Sequence, residues 1–238
     1  MRNLMLALFS LLLAVPAHTL QLERAETPSD LDEILKRMSV HDARQERRLI
    51  GYRMHRTFYA ANKRFNKEST LEVETRFQRP DRFESEVVRS AGSEMIRKRV
   101  FDKILEEERK AHVKDARQAA KITPANYTFK FVAQEDCDGR PCHRLRITPK
   151  RKDKYSINGQ IWIDAEDGAI VRMLGSPAKS PSFWTRRTEI ERRYGRVDGI
   201  WLCTGMESTS DIFLAGRSTL KVDYTYVAVH TESQQQEL

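Results

Sequence analysis

The chain has few of the residues that build catalytic or metal sites. Its 238 residues include only three cysteines and six histidines, and the histidines are scattered without the spacing of metal ligands. No Gly-x-Ser-x-Gly, His-Glu-x-x-His or phosphate-binding loop occurs. We therefore predict a protein that is not an enzyme and that has no metal site and no cofactor.

Long apolar runs are also scarce, with one exception at the start of the chain. Arg2 precedes an apolar stretch of 12 residues, Leu4 to Val15, and small residues follow it. This pattern is typical of a secretory signal, and the stretch is shorter than the roughly 20 residues that span a bilayer. We predict a signal peptide over residues 1–17, a single exported domain over 18–230, and a disordered polar tail over 231–238.

Acidic residues are too few to balance the basic ones. The chain has 42 Lys and Arg against 34 Asp and Glu, and it keeps a formal charge of +7 after the predicted loss of Arg2. This charge favours anionic partners, and a membrane surface attracts a well-placed Lys or Arg by about 1 kcal/mol. Nucleic acid is not expected as a partner of an exported protein. We expect a monomer.

Two of the three cysteines flank a turn sequence. Cys137 and Cys142 enclose Asp138-Gly139-Arg140-Pro141, between two segments with strand character. An oxidising compartment and this short spacing predict a disulfide that closes a hairpin; two unlinked thiols are the alternative. Cys203, beside Trp201 and Leu202, is expected to be a small buried apolar residue.

Hydrophobic periodicity indicates a protein made mostly of strands. Helical spacing of apolar residues predicts helices over 31–38, 40–48 and 96–121, the last apolar mainly in its first half. Alternation between turn signals predicts the remaining elements as strands. These are residues 49–59, 69–77, 82–90, 127–132, 144–148, 157–164, 169–174, 185–194, 200–210 and 218–229. The expected fold class is α+β, mainly antiparallel β.

Scattered turn and core motifs resemble those of a known family. They are Gly159–Asp164, Asp167–Arg172, Pro177–Trp184 and Gly199–Leu202, together with Asn126-Tyr127. On these the chain resembles the LolA-like family of bacterial outer-membrane lipoprotein-sorting proteins. The helix over 96–121 is not a feature of the lipoprotein carrier itself, and it places the chain in a related branch.

The resemblance implies a curved, incomplete β-barrel, a half-barrel, with helices packed over its open face. It also implies an apolar cavity between sheet and helices that holds acyl chains. Sheltering one long acyl chain takes on the order of 10 kcal/mol of apolar contact, which such a cavity supplies. Periodicity alone leaves a second possibility, in which the same inward residues meet and fill the interior.

Aromatic and basic residues in the second half are the candidate binding residues. Four aromatic residues either line the cavity or its mouth or belong to the ordinary core: Trp162, Phe183, Trp184 and Trp201. The neighbouring arginines either bind an anionic headgroup or protein partner or form a solvated strand face. These are Arg186 and Arg187, followed by Arg192 and Arg193.

Together these features predict a periplasmic carrier for lipids or lipoproteins that supports lipoprotein or lipid sorting at the outer membrane. Its expected partners are an acyl lipid or lipoprotein and a protein of the inner or outer membrane. One alternative is a lipid-responsive periplasmic sensor domain that regulates a membrane protein. The other is a lipid hydrolase.

Overall fold

The computed structural model describes residues 28–111, 118, 120–152, 155–180 and 185–232. The predicted signal peptide and residues 233–238 of the predicted tail lie outside these ranges. The helices are α1 (Pro28–Arg48), α2 (Glu94–Ile96) and α3 (Asp102–Ala111), and a π-helical turn (Arg97–Phe101) joins the last two. The strands are β1 (Leu49–Asn62), β2 (Lys67–Gln78), β3 (Arg82–Gly92), β4 (Tyr127–Cys137), β5 (Arg140–Pro149), β6 (Ile157–Asp164), β7 (Ile170–Pro177), β8 (Thr185–Val197), β9 (Ile200–Ile212) and β10 (Gly216–Thr231).

The ten strands form one antiparallel sheet that does not close. Their order is β3-β2-β1-β10-β9-β8-β7-β6-β5-β4, so the last strand lies between the first strand and β9. All ten predicted strands are present, and most extend beyond the predicted bounds because hairpin pairing continues into the turns. The predicted fold class is confirmed as α+β, a mainly antiparallel half-barrel with helices on one face.

Helix α1 covers one half of the inner face of the sheet. It is a single helix over the two segments that were predicted separately. Asp30 in its first turn and Arg47 and Arg48 in its last turn interact favourably with the helix dipole. Its apolar residues Ile34 and Met38 are buried against strands β4 to β8. Burial of this stripe holds α1 on the sheet.

Residues 94–111 form a continuous helical segment that covers the other half of the inner face. Ile96 and Phe101 are buried against strands β1, β2 and β10. The apolar first half predicted for the helix over 96–121 is therefore in contact with the sheet. Residues 112–117 and 119 of that prediction lie outside the described residues.

The turn between β6 and β7 contacts the backbone of α1. Gly168 has a φ of +71°, and a Cβ atom added there would lie 2.8 Å from the carbonyl oxygen of Arg37. Arg37 Nη1 also donates a hydrogen bond of 2.7 Å to the carbonyl of Ala165. Only glycine allows this approach with this backbone conformation.

Within the described ranges, no helix has both the length and the apolar character needed to cross a membrane.

Candidate functional site

Inward-facing side chains form two rows across the sheet, because directly paired residues on antiparallel strands share a face. The first row is Leu145, Ile161, Met173, Arg192, Met206, Val222, Phe58 and Leu71. The second row is Ile147, Gly159, Gly175, Ile190, Ser208, Leu220, Ala60 and Ser69. Both rows are fully buried at their outer ends, under α1 on one side and under residues 94–111 on the other.

The middle of the two rows is only partly covered. Seven residues there are half-buried, one of them Gly159, and we call the six that lie on β7 to β10 the inner groove: Gly175, Ile190, Arg192, Met206, Ser208 and Leu220. The second row is short-chained at this level, because Gly159 faces Gly175 and Ser208 follows Ile190. A Cβ atom at Gly159 or Gly175 would collide with the backbone of the paired strand, so the two glycines allow β6 and β7 to approach closely. The groove therefore combines an apolar lining with short side chains in its second row.

Arg192 is the charged residue of the inner groove. Its electrostatic neighbours are the hydroxyls of Tyr194 and Tyr224 and the thiol of Cys203. Burial raises the pKa of both tyrosines above the ordinary range, so both hydroxyls are neutral at pH 7. Among the described residues no carboxylate forms an ion pair with Arg192. The groove thus presents a cation that lacks an anionic partner.

The adjacent Arg193 has the opposite environment. It points to the outer face of β8, where its guanidinium lies 2.9 Å from Glu207 and 3.8 Å from Glu191. The two neighbouring arginines therefore differ in whether their charge is available to an anionic ligand. Arg193 is already neutralised by carboxylates, and Arg192 is not.

Asp42 places a carboxyl group on the α1 side of the interior. Burial raises its pKa to about 6, against the lowering effect of Lys121 and together with the like charge of Glu46. Asp42 also acts electrostatically on Tyr194, which lies beside Arg192. The side chain itself is exposed to solvent.

A buried ion pair attaches the helical segment 94–111 to the sheet. Arg56, which is 1% exposed, donates from Nη1 to both carboxylate oxygens of Glu108, at 2.9 and 2.7 Å. Its remaining donors reach Thr75 Oγ1 at 3.0 Å and Ser85 Oγ at 3.2 Å, and its guanidinium lies 5.0 Å from the Phe58 ring centre. We call this contact the Arg56–Glu108 clamp. It closes one side of the inner groove.

A cleft with a volume of about 480 Å³ lies where β1 and β3 begin and where β2 and β10 end. Tyr52 and Phe77 line it, with their ring centres 5.2 Å apart. Tyr52 also meets Tyr226 edge-on at 5.5 Å on the inner face. The cleft is large enough for a small ligand, and it adjoins the sheet interior at Tyr52.

The structure places the two described tryptophans outside the inner groove. Trp162 lies between Ile161 and Ile163, which face α1, so its own side chain is on the outer face of the sheet. There its Nε1 donates to Glu135 at 2.8 Å and Arg172 covers its ring at 4.7 Å. Among the predicted cavity residues, Trp162 therefore occupies a position that fits the alternative of ordinary packing.

Trp201 links three elements near one end of the sheet. Its indole Nε1 donates to Asp167 at 3.0 Å, and its backbone exchanges two hydrogen bonds with the Gln45 side chain of α1. Arg140 lies 5.8 Å and Arg196 6.0 Å from its ring centre. Trp201 thus joins β9, α1 and the β6–β7 turn, and its polar neighbours differ from those of the inner groove.

The other predicted site residues are at the start of β8 or before it. Phe183 and Trp184 lie outside the described residues. Arg186 and Arg187 are both exposed; Arg186 covers the Phe213 ring at 4.8 Å and Arg187 lies 3.4 Å from Glu189. Neither arginine is in the inner groove.

The β6–β7 turn and Arg140 hold the carboxylate of Asp164. Asp164 Oδ1 accepts the backbone N–H groups of Glu166 and Asp167, and Oδ2 accepts from Arg140. Both carboxylate oxygens are therefore engaged, one by the turn backbone and the other by an ion pair. Within the ranges that the structure describes, no group of three or more possible metal ligands occurs.

Cys137 and Cys142 are free thiols in the structure, so the predicted disulfide is not formed there. The two residues lie diagonally across the β4–β5 hairpin, since Cys137 pairs with Arg140 and Cys142 with Glu135. Their side chains are hydrogen bonded to each other, and burial raises the pKa of both thiols. The disulfide bond stays a prediction, and the contact between the two thiols is compatible with it.

We expect protein recovered from an oxidising compartment to carry the Cys137–Cys142 bond. Intact mass should be lower than that of the reduced protein by two hydrogen atoms, and thiol titration should detect Cys203 alone. Closing so short a loop is expected to raise the free energy of unfolding by about 2 kcal/mol. Three titratable thiols in the unfolded, unreduced protein would contradict this prediction.

The sequence contained a signal for the inner groove that our interpretation did not use. Alternation in the middle of β8 places Thr188, Ile190, Arg192 and Tyr194 on one face, where Arg192 is the charged residue; Arg186 and Arg196 continue the same alternation at the two ends of the strand. A lone charge on an inward face indicates either a buried partner or a ligand. Arg56 gives the same signal on β1, between Met54 and Phe58, but its partner Glu108 could not be identified because it is far away in the chain.

Comparison with known proteins gives matches of fold at low sequence identity. A DUF1329 family protein from Desulfovibrio piger matches with a TM-score of 0.42 and 14% identity, covering 84% of this chain and 91% of that one. A domain from Vibrio parahaemolyticus, named for outer membrane lipoprotein sorting, gives 0.44 and 12%, with 85% and 93% covered. A LolA superfamily protein from Nitrosomonas europaea gives 0.43 and 10%, with 82% and 90% covered.

One of these three structures is named for the LolA superfamily, which the sequence resembles, and another is named for lipoprotein sorting. The similarity concerns the fold alone. No protein-family model matches the chain. No curated protein sequence matches it either.

Proposed function

We propose that this protein is an exported lipid-binding carrier that holds an acyl chain in the inner groove and its anionic headgroup at Arg192. One observation supports this most directly: the middle of the inner face is partly uncovered and contains a cation without a carboxylate partner. A fatty acid or an acidic phospholipid combines the two properties that such a groove selects. No covalent chemistry is required.

The lining of the groove suits the acyl part of such a ligand. Ile190, Met206 and Leu220 offer apolar contacts, and each CH2 group withdrawn from water contributes about 0.8 kcal/mol. The short side chain of Ser208 leaves room for the acyl chain between Ile190 and Leu220. A flexible methionine in the lining adapts to acyl chains of different shape.

The helical segment 94–111 then acts as a cover, and the Arg56–Glu108 clamp holds the cover closed. Movement of this segment away from β1 and β10 separates the charged pair and widens the partly open groove for uptake or release of a lipid. A carrier needs such a closed state, because the acyl chain must stay out of water between donor and acceptor. Lipoprotein cargo, a periplasmic location and a membrane-protein partner follow from the sequence resemblance and remain part of the proposal.

Filling the groove tests the proposal. Ser208→Phe places a ring between Ile190 and Leu220, so bound lipid and introduced side chain compete for one volume. Native mass spectrometry of detergent-free protein should show a bound lipid in the wild type and none in the variant. Affinity for a fluorescent fatty acid should fall by at least about tenfold, with the thermal midpoint nearly unchanged.

Thr209→Phe is the matched control, because Thr209 is the next residue of β9 and faces the outer side. It should bind lipid as the wild type does. A wild type that is free of lipid and binds no fatty acid would reject the proposed function. Equal binding by folded Ser208→Phe would place the ligand elsewhere.

A further inference from the structure

Two hairpin turns meet at one end of the sheet. Residues 63–66 connect β1 to β2, and residues 213–215 connect β9 to β10. Asn62 Nδ2 joins the turns by donating to the carbonyl of Ala215 at 3.0 Å and to Ser218 Oγ at 2.8 Å. With the start of β8, which pairs with the end of β9, they form what we call the tip surface.

The tip surface exposes large apolar side chains at its outermost points. Phe65 is 49% exposed, Phe213 42% and Leu214 66%. Other large apolar side chains, such as Val88 and Val227, are also exposed, but these three lie together on two adjoining turns. Turn positions normally hold small or polar residues, because they face water.

The backbone of Leu214 gives independent evidence that this exposure is not incidental. Its φ is +62°, in the left-handed region that glycine and asparagine adopt easily and leucine does not. An exposed leucine there makes the fold less stable and gains no packing in return. A strained backbone at an exposed apolar residue indicates that the side chain has a function at this position.

Basic residues surround these apolar side chains. Residues 62–68, 185–189 and 211–217 contain six Lys or Arg and three Asp or Glu, a net charge of +3. The three acids interact with Tyr59, Arg187 and Arg217. Among the described residues, no carboxylate pairs with the remaining cations, which are Lys63, Arg64, Lys67 and Arg186.

We propose that the tip surface docks on an anionic phospholipid bilayer, with Phe65, Phe213 and Leu214 entering the headgroup region and the basic residues facing lipid phosphates. The apolar residues stand on two separate projecting turns, an arrangement that enters an interface readily and gives little flat area for a protein partner. Arg186, which covers the Phe213 ring, is placed to bridge ring and phosphate. The proposal does not depend on what the inner groove holds.

Vesicle co-sedimentation tests the tip surface. Delipidated protein should bind vesicles of equimolar phosphatidylglycerol and phosphatidylcholine, and binding should weaken in high salt. The double variant Phe65→Ser, Leu214→Asn should lower the partition coefficient by at least about tenfold. Because asparagine tolerates a positive φ better than leucine does, Leu214→Asn alone should unfold at the same temperature as the wild type or higher.

Val227→Thr is the matched control, since Val227 is 63% exposed on β10 and lies away from both turns. It should bind vesicles like the wild type. The proposal is overturned if the wild type does not bind these vesicles, if the folded double variant binds equally well, or if pure phosphatidylcholine vesicles bind as strongly. Fatty-acid binding by the double variant should stay unchanged, which separates this test from that of the inner groove.

Discussion

Replacing Arg192 with methionine is expected to remove most of the affinity for anionic lipid and to leave the fold intact. The guanidinium faces the inner groove without a carboxylate partner, so a bound headgroup is the anion that neutralises it. Loss of a charge-assisted contact in such a site costs about 3 kcal/mol, a factor on the order of 100 in the dissociation constant. The measurement is a titration of delipidated protein with oleate.

Stability should move in the opposite direction from affinity. A charge held among apolar and neutral groups destabilises the ligand-free protein, and methionine fills a similar volume without that cost. We expect the free energy of unfolding of the ligand-free variant to equal that of the wild type or to exceed it by about 1 kcal/mol. Chemical denaturation of both proteins checks this.

Two controls isolate the charge of Arg192 from general effects. Arg193→Met removes the neighbouring guanidinium, which already pairs with Glu207 on the outer face, and it should leave oleate binding unchanged. Oleyl alcohol carries the same chain without the carboxylate, so wild type and Arg192→Met should bind it alike. Unchanged oleate affinity in folded Arg192→Met would show that the headgroup lies elsewhere.

Replacing Glu108 with glutamine should have the largest effect on stability. The change leaves Arg56 buried beneath α3 without its carboxylate, and removal of one partner of a buried pair costs about 3 kcal/mol. The helical segment 94–111 should then separate from β1 and β2 more often. Amide hydrogen exchange should become faster in residues 94–111 while α1 keeps its protection.

Glu94→Gln provides the comparison for Glu108→Gln. Glu94 pairs with Lys98 at 2.7 Å, but both side chains are mostly exposed, so loss of this pair should leave the free energy of unfolding nearly unchanged. The double variant Arg56→Met, Glu108→Met should recover most of the stability, because neither charge then remains buried. If Glu108→Gln and Glu94→Gln have equal effects, the clamp does not hold the segment.

The strands and the helices were predictable from the sequence because their periodicity is local. Alternation in β2, for example, separates the buried Leu71 and Val73 from their charged neighbours. The composition of the inner groove was not predictable in this way, because it depends on strand register. Arg192 meets Met173 and Met206 only through the pairing of β8 with β7 and β9. Alternation places Arg192 on an apolar face, but the side chains around it are known only once the sheet is assembled.

The tryptophans show where local patterns mislead. All of Ile161, Trp162 and Ile163 are buried, because α1 covers one face of β6 and Arg172 covers the tryptophan on the other. With both faces buried, alternation no longer identifies the inner side. An aromatic residue in a strand is therefore a weak indicator of a binding cavity, whereas a charge on an apolar face is a better one.

The position of β10 has a consequence for how the protein folds as it is made. β1 pairs with β10 along most of its length, from Leu49 opposite Thr231 to Asn62 opposite Ser218. A chain that emerges from its N-terminus therefore exposes an unpaired edge of β1 until the final strand arrives. Contacts of such long sequence separation form slowly, and the open edge is available to chaperones or to a second chain throughout that interval.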